Sequence, residues 1–185
     1  MRFFIELSYK GTNYHGWQEQ PNANSIQEDI NKALSLILNT NIKVMGAGRT
    51  DTGVHARQMF AHFDCDINFE TKNLIFKLNS FLSSDIAIRD IFKVKENVNC
   101  RFEAISRTYQ YHIIKKKDPF NKTAYLLQKD LDIKAMNEAC KYIIGKKDFT
   151  SFSKKNTQTF TNNCNVISAE WEIVDNELIF TIKSD

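Results

Sequence analysis

The residues best suited to chemistry lie together in Gly46-Ala47-Gly48-Arg49-Thr50-Asp51-Thr52-Gly53-Val54-His55-Ala56. This stretch holds three of the chain's six glycines. Glycine accepts backbone angles that other residues resist, so the pattern predicts a tight loop. Within it sit a carboxylate, a guanidinium and a hydroxyl. A rigid loop presenting Asp51 beside Arg49 can act on an electron-poor centre, because a carboxylate serves as nucleophile or base. The same residues also suit an ordinary Asp-x-Gly turn with a surface ion pair. Neighbouring motifs must decide between the two.

Two further groups of residues bear on chemistry. Arg107, Tyr109, Tyr111 and Ile113 alternate with Thr108, Gln110, His112 and Ile114, which places them on one face of a strand. An aromatic ring there can stack on a base or fill a core. Lys115-Lys116-Lys117, Lys146-Lys147 and Lys154-Lys155 are short basic runs. Gathered on one face they would attract phosphates; separately they are solvated loops. His55 and Lys10 lie near enough to turns that solvation explains them.

The elements that must hold these residues follow from periodicity. Apolar residues flank the glycine-rich loop: Ile42, Val44 and Met45 before it, and Met59, Ala61 and Phe63 after it. Both flanks read as strands. Residues 2–9 alternate as a strand, and Tyr9 to Pro21 follow as a loop rich in glycine and aromatics. Ser25-Ile26-Gln27-Glu28 is a capping box, with Ser25 at the cap and Glu28 reaching back. It opens a helix that should end near Asn39. A second helix is predicted from about Thr71 to Leu82, with Leu74, Ile75, Leu78 and Leu82 inward. Ile86 to Val94 reads as a further strand. Residues 104–115 form the clearest strand of the second half. Asp132 can cap a third helix that Gly145 stops. Ile167–Val174 and Glu177–Ile182 read as a hairpin turned at Asp175-Asn176.

Composition sets the class. A chain of 185 residues can bury one sizeable core, or two small halves that share a sheet. Apolar residues make up 42% and charged residues 25%, as in a folded soluble protein. No apolar run is long enough to span a bilayer. Glu6 follows the first residues too soon for a signal peptide, so the cytoplasm is the expected compartment. Cys65, Cys100, Cys140 and Cys164 form no Cys-x-x-Cys pair, and the four histidines show no ligand spacing. Buried thiols are expected, and no metal.

The whole chain resembles the N-terminal two thirds of the bacterial tRNA pseudouridine synthase A family. The resemblance runs through four motifs in order: Tyr9-Lys10-Gly11 with Tyr14-His15-Gly16-Trp17-Gln18-Glu19-Gln20, the Gly46–Ala56 loop, Arg101-Phe102-Glu103-Ala104 with Arg107-Thr108-Tyr109-Gln110-Tyr111, and Gly145 with Asp148-Phe149-Thr150-Ser151-Phe152. The resemblance implies that Asp51 is the catalytic aspartate and that Arg49 helps hold the target nucleotide out of its stack. It implies that Tyr109 packs on the target uracil. Arg107, on the same face, would bind phosphate or pair with a carboxylate. The implied reaction converts uridine to pseudouridine in the anticodon stem-loop of tRNA, without a cofactor, in a homodimer. The chemistry needs an ionised Asp51 in a site that excludes water, with a cation nearby.

The resemblance also implies a further segment, of the type Gly-Phe-Leu-(Arg/His)-x-Met-Val-Arg, after the last strand. Asp185 comes first, so the chain is read as C-terminally incomplete. A non-catalytic tRNA-binding module, or an inactive truncated chain, is the alternative function. Two positions depart from the family pattern. Ser83 stands where proline is usual, which loosens a loop, and Asn165 stands where arginine is common, which removes a charge.

The expected fold is α+β: two related ferredoxin-like (split βαβ) halves sharing an antiparallel sheet with a central cleft. The expected halves are 1–104, carrying the catalytic loop, and 105–185, lacking its final segment.

Overall fold

The computed structural model describes residues 1–153 and 161–185. Lys154 and Lys155, the third basic run, lie outside the described residues. The architecture is α+β, and the chain divides into two compact units, Met1–Ala104 and Ile105–Asp185. Hydrogen bonding groups the strands into two sheets of four and five strands, one in each unit. This refines the expectation of a single sheet common to both halves. Among the described residues, no helix is long and apolar enough to cross a membrane.

Unit 1 runs β1 (Arg2–Tyr9), α1 (Ile26–Leu38), β2 (Met45–Gly46), β3 (Ala56–Asp64), α2 (Thr71–Phe81) and β4 (Ile86–Val94). The strand order is β2-β3-β1-β4, and every pair is antiparallel. This is the split βαβ arrangement that the element order predicts. Alternation along β1 turns Phe3, Ile5, Leu7 and Tyr9 into the core. There they meet Ile26, Ile30, Ala33 and Leu34 of α1, and Leu74 and Leu78 of α2.

The caps follow the sequence in part. Ser25 Oγ accepts the Glu28 N–H at 3.2 Å, but the Glu28 carboxylate pairs with Lys32 at 2.6 Å. Asn39, in the left-handed region at φ 49°, ends the helix. Helix α2 is capped by Glu70, whose carboxylate accepts the Lys72 and Asn73 N–H groups.

The expected strand before the glycine-rich loop shrinks to two residues. Ile42 and Val44 are buried, but α1 takes their main-chain groups. Ser35 Oγ accepts the Ile42 N–H at 2.9 Å, and Asn31 Oδ1 accepts the Val44 N–H at 2.8 Å. Gln27 Nε2 donates to the Val44 carbonyl at 2.7 Å. Backbone satisfied by helix side chains has no need of a strand neighbour.

Unit 2 runs β5 (Arg107–Ile114), β6 (Tyr125–Leu126), α3 (Ile133–Lys141), β7 (Gly145–Asp148), β8 (Asn163–Val174) and β9 (Glu177–Ser184). Its order is β6-β5-β9-β8-β7. The pairs are antiparallel except β5 with β6, which is parallel and joins only Ile113–Tyr125 and Ile114–Leu126. The predicted hairpin turn forms with Asp175 and Asn176 both at positive φ, 49° and 67°. Asp132 caps α3 by accepting the Ala135 N–H at 2.9 Å. The helix closes at Tyr142, so Ile143 and Ile144 lie beyond it, and Gly145 opens β7.

Candidate active site

The glycine-rich loop leaves the core after Gly46 and returns at Ala56. Its two ends are held by the sheet: Gly46 pairs with Ala61, and the Ala47 N–H donates to the Phe60 carbonyl at 2.8 Å. Its middle is held by the preceding glycine–aromatic loop. The Trp17 N–H donates to the Thr50 carbonyl at 3.1 Å, and the Gly53 N–H donates to the Tyr14 carbonyl at 3.3 Å. Tyr9 Oη lies 2.9 Å from Thr50 Oγ1. These bonds bracket Asp51 on both sides. The loop also turns on itself through the Val54 N–H, which donates to the Asp51 carbonyl at 3.2 Å.

The holding loop is fixed in turn by α1. The first free amides of that helix, at Ile26 and Gln27, donate to the carbonyls of Gly16 and Trp17 at 3.2 and 3.0 Å. Trp17 is 1% exposed and Tyr14 5%, so the aromatics of this loop fill the core. Contact between the two loops is close. A Cβ at Gly16, which sits at φ +91°, would lie 2.4 Å from the Thr50 carbonyl oxygen. Only glycine meets both conditions.

Side chains around the clamp are mutually satisfied. Tyr14 Oη donates to Asp29 Oδ2 at 2.9 Å and lies 3.0 Å from Ser83 Oγ. Burial holds the Tyr14 phenol above its ordinary pKa, so it remains a donor. Ser83 also accepts the Asp85 N–H at 3.3 Å, and the Ile86 N–H donates to its carbonyl at 3.0 Å. The serine thus closes this turn with hydrogen bonds. His55 Nδ1 accepts the Gly11 N–H at 2.8 Å. Burial, and then the nearby Lys10, push the His55 pKa below its ordinary value.

Asp51 and Arg49 both lie on this loop and both are exposed. The dry surroundings that the chemistry asks for are therefore not supplied by the loop itself. Tyr109 and Arg107 lie in unit 2 on β5, opposite Ile182 and Ser184 of β9. Tyr109 is 50% exposed, and Arg107 is partly buried. Tyr109, Tyr111, Phe180, Ile182 and Trp171 fall on one sheet face by register, and Trp171 stacks on Phe180 with centroids 4.8 Å apart. Tyr109 thus shares a sheet face with these aromatic residues and is half exposed.

The two described basic runs do not act as one block of free charge. Lys115 pairs with Asp130 at 2.6 Å, and Lys147 donates to the Tyr142 carbonyl at 2.5 Å. Sequence reasoning missed Tyr9, Trp17, Thr50 and His55 as the residues that hold the loop. The available signal was the glycine–aromatic spacing of residues 9–20.

The family pattern for tRNA pseudouridine synthase matches residues 7–103, which include both loops. The tRNA pseudouridine synthase A of Parabacteroides distasonis is 46% identical over 188 residues, covering 100% of this chain and 74% of that protein. That of Bacteroides thetaiotaomicron is also 46% identical, covering 100% and 70%. That of Francisella tularensis subsp. novicida is 38% identical over 183 residues, covering 97% and 71%. With the clamped aspartate loop inside the matched region, the chain belongs to the tRNA pseudouridine synthase family.

Proposed function

We propose that this protein isomerises uridine to pseudouridine in tRNA, at the anticodon stem-loop, with Asp51 as its catalytic residue. The observation that supports this most is the loop clamp. A lone carboxylate on a mobile turn would make a poor catalyst, whereas Asp51 sits between two backbone bonds to a buried aromatic loop. The 46% identity to tRNA pseudouridine synthases A supports the substrate and the reaction class.

The reaction breaks the N1–C1′ bond, turns the uracil, forms a C5–C1′ bond and loses the C5 proton while N1 gains one. Reactant and product have the same composition, so the route requires no redox partner or cofactor. Asp51 either attacks C1′ or takes the C2′ proton, and both routes need the carboxylate ionised. Arg49, two residues away, supplies positive charge on the same loop and would help hold the nucleotide outside its stack. Unstacking costs a few kcal/mol and is least in an RNA loop. Because Asp51 is exposed in the free protein, the bound RNA must do part of the work of excluding water.

Tyr109 takes the role of a ring that packs on the uracil and keeps the cleaved base in place. Arg107, on the same strand, binds phosphate. Residues 1–104 form the half carrying the catalytic loop, and 105–185 the half carrying the stacking strand. The same reading has the protein act as a homodimer in the cytoplasm.

Asp51→Asn tests this directly. The variant should release no tritium from tRNA labelled at uracil C5 and should still bind tRNA within about twofold, since the change preserves shape and removes only charge. Pseudouridine made by the Asn variant would overturn the assignment. Tight tRNA binding with no tritium release from the unsubstituted protein would favour a binding module instead.

A further inference from the structure

We infer that His55 is a positioning residue for Asp51, and that its neutral ring latches the far end of the catalytic loop to the Gly11 turn. The inference rests on Asp51 being the catalytic group. His55 lies four residues beyond Asp51 and directly before β3. Its Nδ1 accepts the Gly11 main-chain N–H at 2.8 Å. An acceptor nitrogen carries no proton, so the one ring hydrogen of the neutral form is on Nε2. The Gly11 turn is fixed from its other side. The Lys10 N–H donates to the Asp85 carbonyl at 2.8 Å, and Asn13 Nδ2 donates to Asp85 Oδ2 at 2.8 Å. The Tyr14 N–H returns to the Gly11 carbonyl at 3.0 Å. His55 therefore joins the far end of the loop to the Gly11 turn, which is itself anchored to Asp85 through Lys10 and Asn13.

Four bonds at three points join the loop to the preceding segment: Tyr9 and Trp17 at Thr50, Tyr14 at Gly53, and Gly11 at His55. The last of these points involves an imidazole. Protonation of Nδ1 would face one N–H with another and open the latch. The charged groups acting on the ring are Lys10, which opposes protonation, and Asp85, which favours it. Arg49 and Asp51 lie on its own loop. Although His55 is exposed by surface area, partial desolvation of its ring and then Lys10 outweigh Asp85, and its pKa is lowered.

The sign is as follows. The latched state binds a proton less readily than the open state. Latching is thus fully present above the ordinary histidine pKa of about 6.5 and is lost as pH falls through the lower value of the latched ring.

The experiment titrates the full chain by NMR and follows the His55 ring together with the amides of residues 50–54. The expected result is a His55 midpoint below about 6.5, with the loop amides moving at the same midpoint. In His55→Asn, whose Oδ1 can replace Nδ1 as an acceptor but cannot titrate, that shared step should vanish while the loop amides stay near their latched positions. In tRNA assays, His55→Ala should lower kcat about tenfold, as loss of one positioning bond would, with KM within about twofold. His55→Asn should restore most of the rate and remove the acid limb due to this ring. Loop amides indifferent to the His55 titration, or an unchanged kcat in His55→Ala, would overturn the inference. An active Asp51→Asn variant would instead overturn the functional reading, so the two failures are distinct. The titration of the unsubstituted chain decides the latch even if a variant fails to fold.

Discussion

Tyr9 Oη and Thr50 Oγ1 lie 2.9 Å apart, and this bond ties the last residue of a central strand to the residue before Asp51. Tyr9 is 4% exposed and cannot drift. The position of the glycine-rich loop is thereby referred to the core of unit 1 and not to the surface.

Tyr9→Phe removes the hydroxyl and keeps the ring. The fold should lose about 1 kcal/mol, the usual net worth of a hydrogen bond. The rate of tritium release should fall about fivefold, the equivalent of about 1 kcal/mol in the barrier. Denaturant unfolding and single-turnover assays read the two effects, and tRNA affinity should not change.

Gly46→Ala sets a methyl group against the Trp17 ring. The new Cβ would lie 2.5 Å from Trp17 Cε2. Trp17 is 1% exposed and cannot swing away without moving the Thr50 contact. Overpacking of this kind costs about 1–3 kcal/mol. The melting temperature should fall, and kcat with it, whereas the smaller ring of Trp17→Phe combined with Gly46→Ala should recover part of the loss.

Asn31→Leu tests the helix contacts that replace a strand before the loop. Asn31 is 8% exposed, and its Oδ1 takes the Val44 N–H while its Nδ2 donates to Glu19 Oε2 at 2.9 Å. Leucine leaves the Val44 amide without that acceptor, at about 1–3 kcal/mol. Hydrogen exchange at Val44 should speed up by more than at Ala61, on the neighbouring strand.

His62 predicts an acid limb of stability. It is 5% exposed, stacks on Phe4, and has Nδ1 3.1 Å from Cys100 Sγ. Burial, and then Arg2, lower its pKa. The unfolded chain therefore binds the proton more readily. Stability from this group is complete above about pH 6.5 and declines as pH falls through the folded value. Melting temperatures measured from pH 7 down to pH 5 should fall more steeply for the unsubstituted protein than for His62→Gln.

Periodicity and cap chemistry made most of unit 1 legible. The alternation Phe3-Ile5-Leu7 and the Ser25 cap each predict the element found. The segment at Ile42–Val44 was not legible, because apolar alternation is the same whether the backbone pairs with a strand or with Asn31 and Ser35. The Glu70 cap was hidden for a similar reason, since glutamate is an uncommon cap. The glycine and carboxylate pattern predicted the loop that carries Asp51 and Arg49, and alternation placed Tyr109 and Arg107 on one face of a strand, as β5 has them. The glycine–aromatic spacing of residues 9–20 hinted at the clamp, but its main-chain bonds to Trp17 and Tyr14 depend on tertiary contact and not on side-chain type.

Strand β1 lies inside its sheet, hydrogen-bonded to β3 on one side and to β4 on the other. Within unit 1 it is synthesised before both partners, and β4 comes last. Until Val94 has left the exit tunnel, Phe3, Ile5 and Leu7 lack the neighbours that β4 supplies. Unit 1 therefore cannot mature segment by segment during translation. Residues 2–9 complete their pairing only once β4 has been made, so the sheet of unit 1 closes at the end of that unit's own synthesis.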